Sequence, residues 1–239
     1  MNLSRVGDLQ IVSVLYHTQA ESHGDYAALQ VAEQVLTDEP SGRLYKALVN
    51  EKKASSIWSF SPFTKEPSFM YMNVDVPSDK SLAEAESTLL NVLDNLSKNP
   101  VTEDELKRAK SNLLKRIDQI SRNSAYLGTY MSEFMGAGDW RLGYILRDRI
   151  ENMTVDKVNT AIQRYLINTN RTVGEFIPSK SPIRVEIEHT AGLAELVASY
   201  KGKESLGAGE AFDVAYDHIQ KRLDTGVLQK QPIEYGFIK

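Results

Sequence analysis

Apolar positions along the chain change their spacing several times, and each change marks an element. Ile11-Val12-Ser13-Val14-Leu15-Tyr16 is a short β-rich apolar run and predicts a buried strand. After a polar turn, Asp25 is placed to cap a helix whose apolar face is Ala28, Leu29, Ala32, Val35 and Leu36. Pro40-Ser41-Gly42 breaks that helix, and a second, short one comes after it with Leu44, Tyr45, Leu48 and Val49 facing inward. Two strands come next, over residues 55–61 and 68–76. In the latter, Met70, Met72, Val74 and Val76 alternate against Phe69 and Tyr71 with the period of two that a strand imposes.

Two long helices carry stronger signals. Ser81 with Glu84 reads as a capping box ahead of Leu82, Ala85, Leu89, Leu93 and Leu96, and Pro100 ends that helix. Thr102 with Glu105 reads as a second box ahead of Leu106, Ala109, Leu113, Ile117 and Ile120. Residues 140–151 and 154–166 predict two further helices, and residues 172–177 a closing strand before Pro178. The order is strand, two helices, two strands, a helical block, strand. Paired strands and grouped helices favour an α+β fold over a doubly wound parallel sheet. The expected form is a two-layer α/β sandwich, with a largely antiparallel sheet covered by the helices at 81–99 and 102–122 and with Leu89 and Leu113 facing that sheet.

Residues 1–178 are expected to form one domain. Ser179-Lys180-Ser181-Pro182 then punctuates the chain, and Gly192, Gly202, Gly207, Gly209 and Gly226 interrupt the remaining residues. Short helical pieces at 193–200 and 216–223 lack an apolar face broad enough to found a core, so residues 179–239 read as a linker.

Composition narrows the function classes. With 41% hydrophobic and 25% charged residues in 239, the chain is an ordinary globular sequence with length enough for a core. The net charge of −4 and the lack of any lysine or arginine cluster argue against nucleic acid as a partner. There is no cysteine, which excludes disulfides, thiol nucleophiles and thiolate metal ligands; it is compatible with cytoplasm or periplasm and decides neither. The compartment is left open, with the bacterial periplasm favoured over the cytoplasm. No apolar run reaches the roughly 18–20 residues that span a bilayer, and Met1-Asn2-Leu3-Ser4-Arg5 does not read as a signal peptide.

Candidate chemistry is sparse. The histidines are His17, His23, His189 and His218. His17 and His23 flank Glu21 with five residues between them, a spacing that fits neither H-E-x-x-H nor H-x-x-E-H. They read as solvated turn residues, and an independent enzyme built on His17, Glu21 and His23 is the remote alternative. Glu84/Glu86 and Glu103/Asp104/Glu105 sit in first turns of helices, where the dipole and caps explain them. No G-x-S-x-G or G-x-G-x-x-G occurs. Trp58, Phe60, Phe63, Phe69 and Tyr71 gather on two neighbouring strands, either as a core or interface face or as an exposed platform for peptide.

The stretch Ser41-Gly42-Arg43-Leu44-Tyr45-Lys46-Ala47-Leu48-Val49-Asn50-Glu51-Lys52-Lys53-Ala54-Ser55-Ser56 resembles a segment of the pitrilysin/insulinase-type (inverzincin) zinc peptidases. Val101-Thr102-Glu103-Asp104-Glu105-Leu106-Lys107-Arg108-Ala109-Lys110 is similar to that family's Val-Thr-x-x-Glu-Leu-x-Arg-Ala-Lys helix start. The block from Tyr126 to Trp140 and the closing Val173 to Pro178 agree in order, so the resemblance spans residues 5–178. The stretch from Tyr200 to Phe212 resembles the segment joining the halves of two-halved bacterial members. The stretch from Gln231 to Lys239 resembles only the first strand of the second half, which is expected to be cut off almost at once.

The resemblance implies a second, non-catalytic domain of a first half. The family's H-x-x-E-H helix and downstream glutamate lie in the domain before it, so no catalytic, cofactor-binding or metal-binding residue is assigned here. A family arginine–tyrosine pair of the second half aligns with Val49 and Ser56, which are neither. The implied parent is a zinc metalloendopeptidase whose two halves enclose an unfolded peptide, this domain forming part of the wall and being inactive alone. Its partners would be the catalytic domain, the second half and the peptide substrate, and zinc would be the parent's cofactor. The alternative is a structural or peptide-binding homologue whose parent has lost the zinc site.

Overall fold

The computed structural model describes residues 2–180, 192–198 and 221. The chain divides into two units, Met1–Ile183 and Arg184–Lys239. Within the second, the helix Leu193–Ala198 is described, with Leu193 and Val197 exposed. The other predicted helical piece (216–223), His189, His218 and the strand-like end of the chain lie outside the described residues, except Lys221.

The first unit is α+β. Five strands, β1 (Asn2–Arg5), β2 (Leu9–Thr18), β3 (Ser56–Phe60), β4 (Ser68–Pro77) and β5 (Arg171–Pro178), form one sheet in the order β1-β5-β2-β4-β3. All pairs are antiparallel except β1 with β5. The alternation read in β4 holds: Met70, Met72, Val74 and Val76 are fully buried, as are Val12, Val14 and Tyr16 on β2 opposite them. The other face carries Ile11, Ser13, Leu15 and His17 of β2 and Phe69, Tyr71, Asn73 and Asp75 of β4.

Six helices accompany the sheet: α1 (Gly24–Thr37), α2 (Leu82–Asp94), α3 (Glu103–Ser121), α4 (Ser124–Ala137), α5 (Leu142–Glu151) and α6 (Val155–Tyr165). Helix α1 is the hub. Tyr26, Ala27 and Val31 are buried in addition to the predicted stripe, and the small side chains of Ala27, Ala28 and Ala32 let α1 touch β3, α3, α5 and α6 together. Its N-cap is His23 rather than Asp25: His23 Nδ1 accepts the Asp25 amide at 3.1 Å. Asp25 instead accepts Tyr165 Oη at 2.8 Å and Arg164 at 3.2 Å, which ties α1 to α6.

Helix α2 lies on β2 and β4, with Leu82, Ala85, Leu89 and Leu93 buried. Only half of its capping box forms: Ser81 accepts the Glu84 amide at 3.2 Å, while the Glu84 side chain pairs with Lys53. The box at Thr102 and Glu105 is complete. Helix α3 departs from expectation by packing mainly on α1, α4 and α5 rather than on the sheet. Leu106 and Ala109 are buried, whereas Leu113 and Ile117 are only half-buried. The short helix after Gly42 is a π-helical turn, Tyr45–Asn50, with Leu44 and Leu48 buried and Tyr45 and Val49 half-buried. Helix α4 has no counterpart among the elements that the apolar spacing predicts.

Candidate peptide-docking face

Among the described residues β3 has a partner, β4, on one side only. An edge strand presents unpaired backbone N–H and C=O groups, and those are what another extended chain can pair with. Antiparallel register sets Trp58 opposite Asn73 and Phe60 opposite Tyr71. Both aromatics therefore stand on the face away from the helices. Trp58 is 47% and Phe60 52% exposed. Trp58 leans on Tyr71 with ring centroids 5.3 Å apart, and Phe60 on Phe69 at 6.4 Å. The five aromatics thus divide. Trp58, Phe60, Phe69 and Tyr71 form an exposed and half-exposed band, while Phe63 packs inward against Phe134 at 4.7 Å, Tyr130 at 6.1 Å and Tyr26 at 6.3 Å.

A polar chain stiffens the band from beneath. Asn73, only 2% exposed, accepts from Ser13 Oγ at 2.7 Å and from Tyr71 Oη at 2.8 Å through Oδ1. Its Nδ2 donates to Asp75 Oδ1 at 2.9 Å, and Ser56 Oγ donates to Asp75 Oδ2 at 2.6 Å. These bonds run across β2, β4 and β3, so Trp58 and Tyr71 sit on a fully partnered floor. Ser56 is committed to this chain of bonds, and Val49 lies in the π-helical turn.

Zinc does not fit the donors present. His17 is exposed on β2 opposite Phe69, and His23 Nδ1 is occupied by the Asp25 amide. Glu21 is 2% exposed with both carboxyl oxygens sealed and unpartnered. Its pKa is raised to about 7, because burial disfavours the charge more than Arg149 nearby favours it. Among the described residues no three His, Asp or Glu side chains converge on a point that could hold a metal. None of their helices is long and apolar enough to cross a membrane.

Residues 4–113 match the family model of the peptidase M16 inactive domain. A solved inactive peptidase domain of a zinc-protease candidate from Bordetella parapertussis is 34% identical, with a TM-score of 0.68 over 77% of this chain and 99% of that one. The chain belongs to the peptidase M16 inactive domain family. A zinc-protease candidate from Bordetella pertussis Tohama I is 33% identical, with a TM-score of 0.66 over 72% of this chain and 94% of that one. A protease from Helicobacter pylori shares the fold at 18% identity and a TM-score of 0.69, over 74% of this chain but only 43% of that one. No curated protein matches the chain significantly. The M16 inactive domain is thus the pitrilysin-type domain that the motifs at 41–56 and 101–110 resemble. The unpaired edge of β3 left a single trace in the sequence, the Trp58/Phe60 alternation.

Proposed function

We propose that this M16 inactive domain is a wall of the substrate-enclosing chamber of a zinc-dependent metalloendopeptidase, and that its edge strand β3 takes up extended peptide as an added strand. The observation that carries this is the unpaired β3 edge with Trp58 and Phe60 standing beside it. Backbone pairing is indifferent to sequence, as a chamber for unfolded peptide requires, and the two aromatics add apolar affinity at alternate peptide positions. The catalytic domain and second half of the parent chain are its partners in this reading, zinc belongs to the catalytic domain, and residues 179–239 are the linker between halves.

A labelled unfolded peptide titrated against the chain tests the docking. Replacing Trp58 and Phe60 together with alanine is expected to weaken binding roughly tenfold or more. A peptide N-methylated at alternate amides should lose binding because it cannot pair with the edge. Undiminished binding of both would discard β3 as the site. Joining the chain to its natural upstream domain then separates the readings. Zinc-dependent cleavage supports the peptidase, and binding without cleavage supports a homologue whose parent has lost the metal.

A further inference from the structure

The segment 61–67, which carries the chain from β3 to β4, is fastened to α1 by Ser61 Oγ donating to Glu33, a carboxyl group whose pKa burial also raises, and is held at three further points around the buried carboxyl group of Glu21. The Glu21 amide donates to Thr64 O at 3.1 Å. Tyr26 Oη is 3.3 Å from both Ser61 O and Pro62 O. Phe63 is wedged among Tyr26, Tyr130 and Phe134. Glu21, in the turn between β2 and α1, is sealed from water without a hydrogen-bond partner for either oxygen. Every other buried polar side chain among the described residues finds a partner, so this one is out of keeping with the fold around it.

We propose that Glu21 is a proton-operated latch on the segment 61–67, and through it on the docking edge of β3. Neutral, the carboxyl group lies sealed and the segment is held. Ionised, it is a buried charge with no hydrogen-bond partner, and opening of the segment exposes it to water.

The groups acting on Glu21 come from three helices: Tyr26 on α1, Tyr130 on α4 and Arg149 on α5. Arg149 is the sole cation among them. Its Nη1 is engaged by Ser22 O at 3.1 Å and His23 O at 3.0 Å, so it offsets the charge without bonding to it. Both tyrosine hydroxyls have raised pKa values, first from their own burial and then from the Glu21 charge, Tyr130 to about 12. They are neutral throughout the relevant range and supply no countercharge.

The two states fix the sign. In the closed segment the Glu21 pKa is about 7, against an ordinary value of 4.5 when open to water. Below 4.5 the group is protonated in both states and the latch is strongest. Between 4.5 and about 7 the open state sheds its proton while the closed state keeps it, so opening grows easier; above that the dependence levels off. Full exposure on opening would change the opening equilibrium on the order of 100-fold across the window.

This inference rests on the β3 docking reading only for its consequence, and the test keeps the two apart. Protection of the residue-21 amide against hydrogen exchange, corrected for intrinsic exchange rates, is measured from pH 5 to pH 8 in the whole chain and in Glu21→Gln. Peptide affinity is followed in parallel. In the unaltered chain, protection is expected to fall as pH rises, and affinity with it. In Glu21→Gln, which keeps the shape without this titration, both slopes should shrink to the part that Glu33 contributes through Ser61. Glu21→Leu serves in its place if the glutamine variant does not fold. A protection profile in the unaltered chain that does not move with pH, or one whose slope Glu21→Gln leaves unchanged, overturns the latch. Protection that moves while no peptide binds at any pH supports the latch and overturns the docking reading.

Discussion

Arg43 and Glu105 meet edge to edge, Nε on Oε1 at 2.8 Å and Nη2 on Oε2 at 2.7 Å. The guanidinium also donates to the carbonyls of Asn99 and Pro100, and Glu105 accepts the Thr102 amide at 3.0 Å as its half of the capping box. One residue pair thus joins the turn after α1, the end of the α2 connection and the start of α3. Burial alone would raise the Glu105 pKa, but Arg43 and the Thr102 donors hold it down at about 2.

Stability should therefore fall in acid. Because the folded pKa is depressed, the contribution is present above the ordinary value of 4.5 and is lost as pH drops from there to about 2. Its full size is about 3 kcal/mol. Denaturant unfolding at pH 7 and pH 3 is expected to show about 2 kcal/mol of that loss, since pH 3 still lies above the folded value, and Glu105→Gln to remove most of the slope. Arg43→Ala should cost about 3 kcal/mol at pH 7 by stranding the carboxylate. Arg43→Lys should recover only part of this, since an ammonium cannot make the paired contact.

The two leucines that the sequence places toward the sheet differ in the fold. Leu89 is fully buried where α2 meets β2 and β4, and its replacement by alanine should cost about 2–5 kcal/mol. Leu113 is half-buried on α3, so Leu113→Ala should cost only about 1 kcal/mol. Equal losses in thermal or denaturant unfolding would show that α3 packs more tightly than this.

That pair also shows how far the sequence can be read. The β4 alternation and the α2 and α3 caps are local patterns, and the fold class rests on their order. What escapes depends on partners distant in sequence. β1 is four residues long and exists by pairing with β5, some 170 residues away. In α4, Tyr126, Tyr130 and Phe134 do recur at helical spacing, but Gly128 and Gly136 interrupt the segment and weaken the signal. Asp25 resembles a cap because aspartate favours that position, yet Tyr165 and Arg164 on α6 claim its carboxylate. The partnerless burial of Glu21 has no sequence signature at all.

Asn73→Asp probes the polar floor beneath Trp58. The change removes the donor to Asp75 and sets a second carboxylate about 3 Å from the first, in a site with 2% exposure. Repulsion and lost hydrogen bonding should together cost roughly 2–3 kcal/mol at pH 7, and less at pH 4, where one of the two carboxyl groups takes up a proton. Unfolding measured at both values checks it; an equal cost at both would mean that the loss comes from packing.

Two glycines should resist substitution to different degrees. A Cβ on Gly42 would lie 2.7 Å from the Asp38 backbone and from Leu36 O, atoms that move only with the end of α1. A Cβ on Gly143 would meet the Phe134 ring at 2.9 Å, a side chain that can shift slightly within the core. Gly143→Ala should cost about 1–3 kcal/mol and Gly42→Ala more, read as the order of their melting temperatures.

The purified chain is expected to hold no stoichiometric zinc and to cleave no peptide. A tetrahedral site with an open position needs three protein ligands with free lone pairs on a rigid frame. His23 Nδ1 already accepts the Asp25 amide, and His17 stands on the opposite sheet face from the α1 hub. Glu21 is sealed away from both solvent and donors. Recruiting these three would require unmaking the α1 cap and the turn before it, so added zinc should leave the melting temperature unchanged, or lower it through binding to the unfolded chain, instead of raising it as binding to the native state would. Metal analysis after mild chelation, a quenched-peptide assay and a zinc titration of thermal stability examine the three consequences together. One tightly held zinc per chain with a raised melting temperature would mean that this M16 inactive domain carries a metal site of its own.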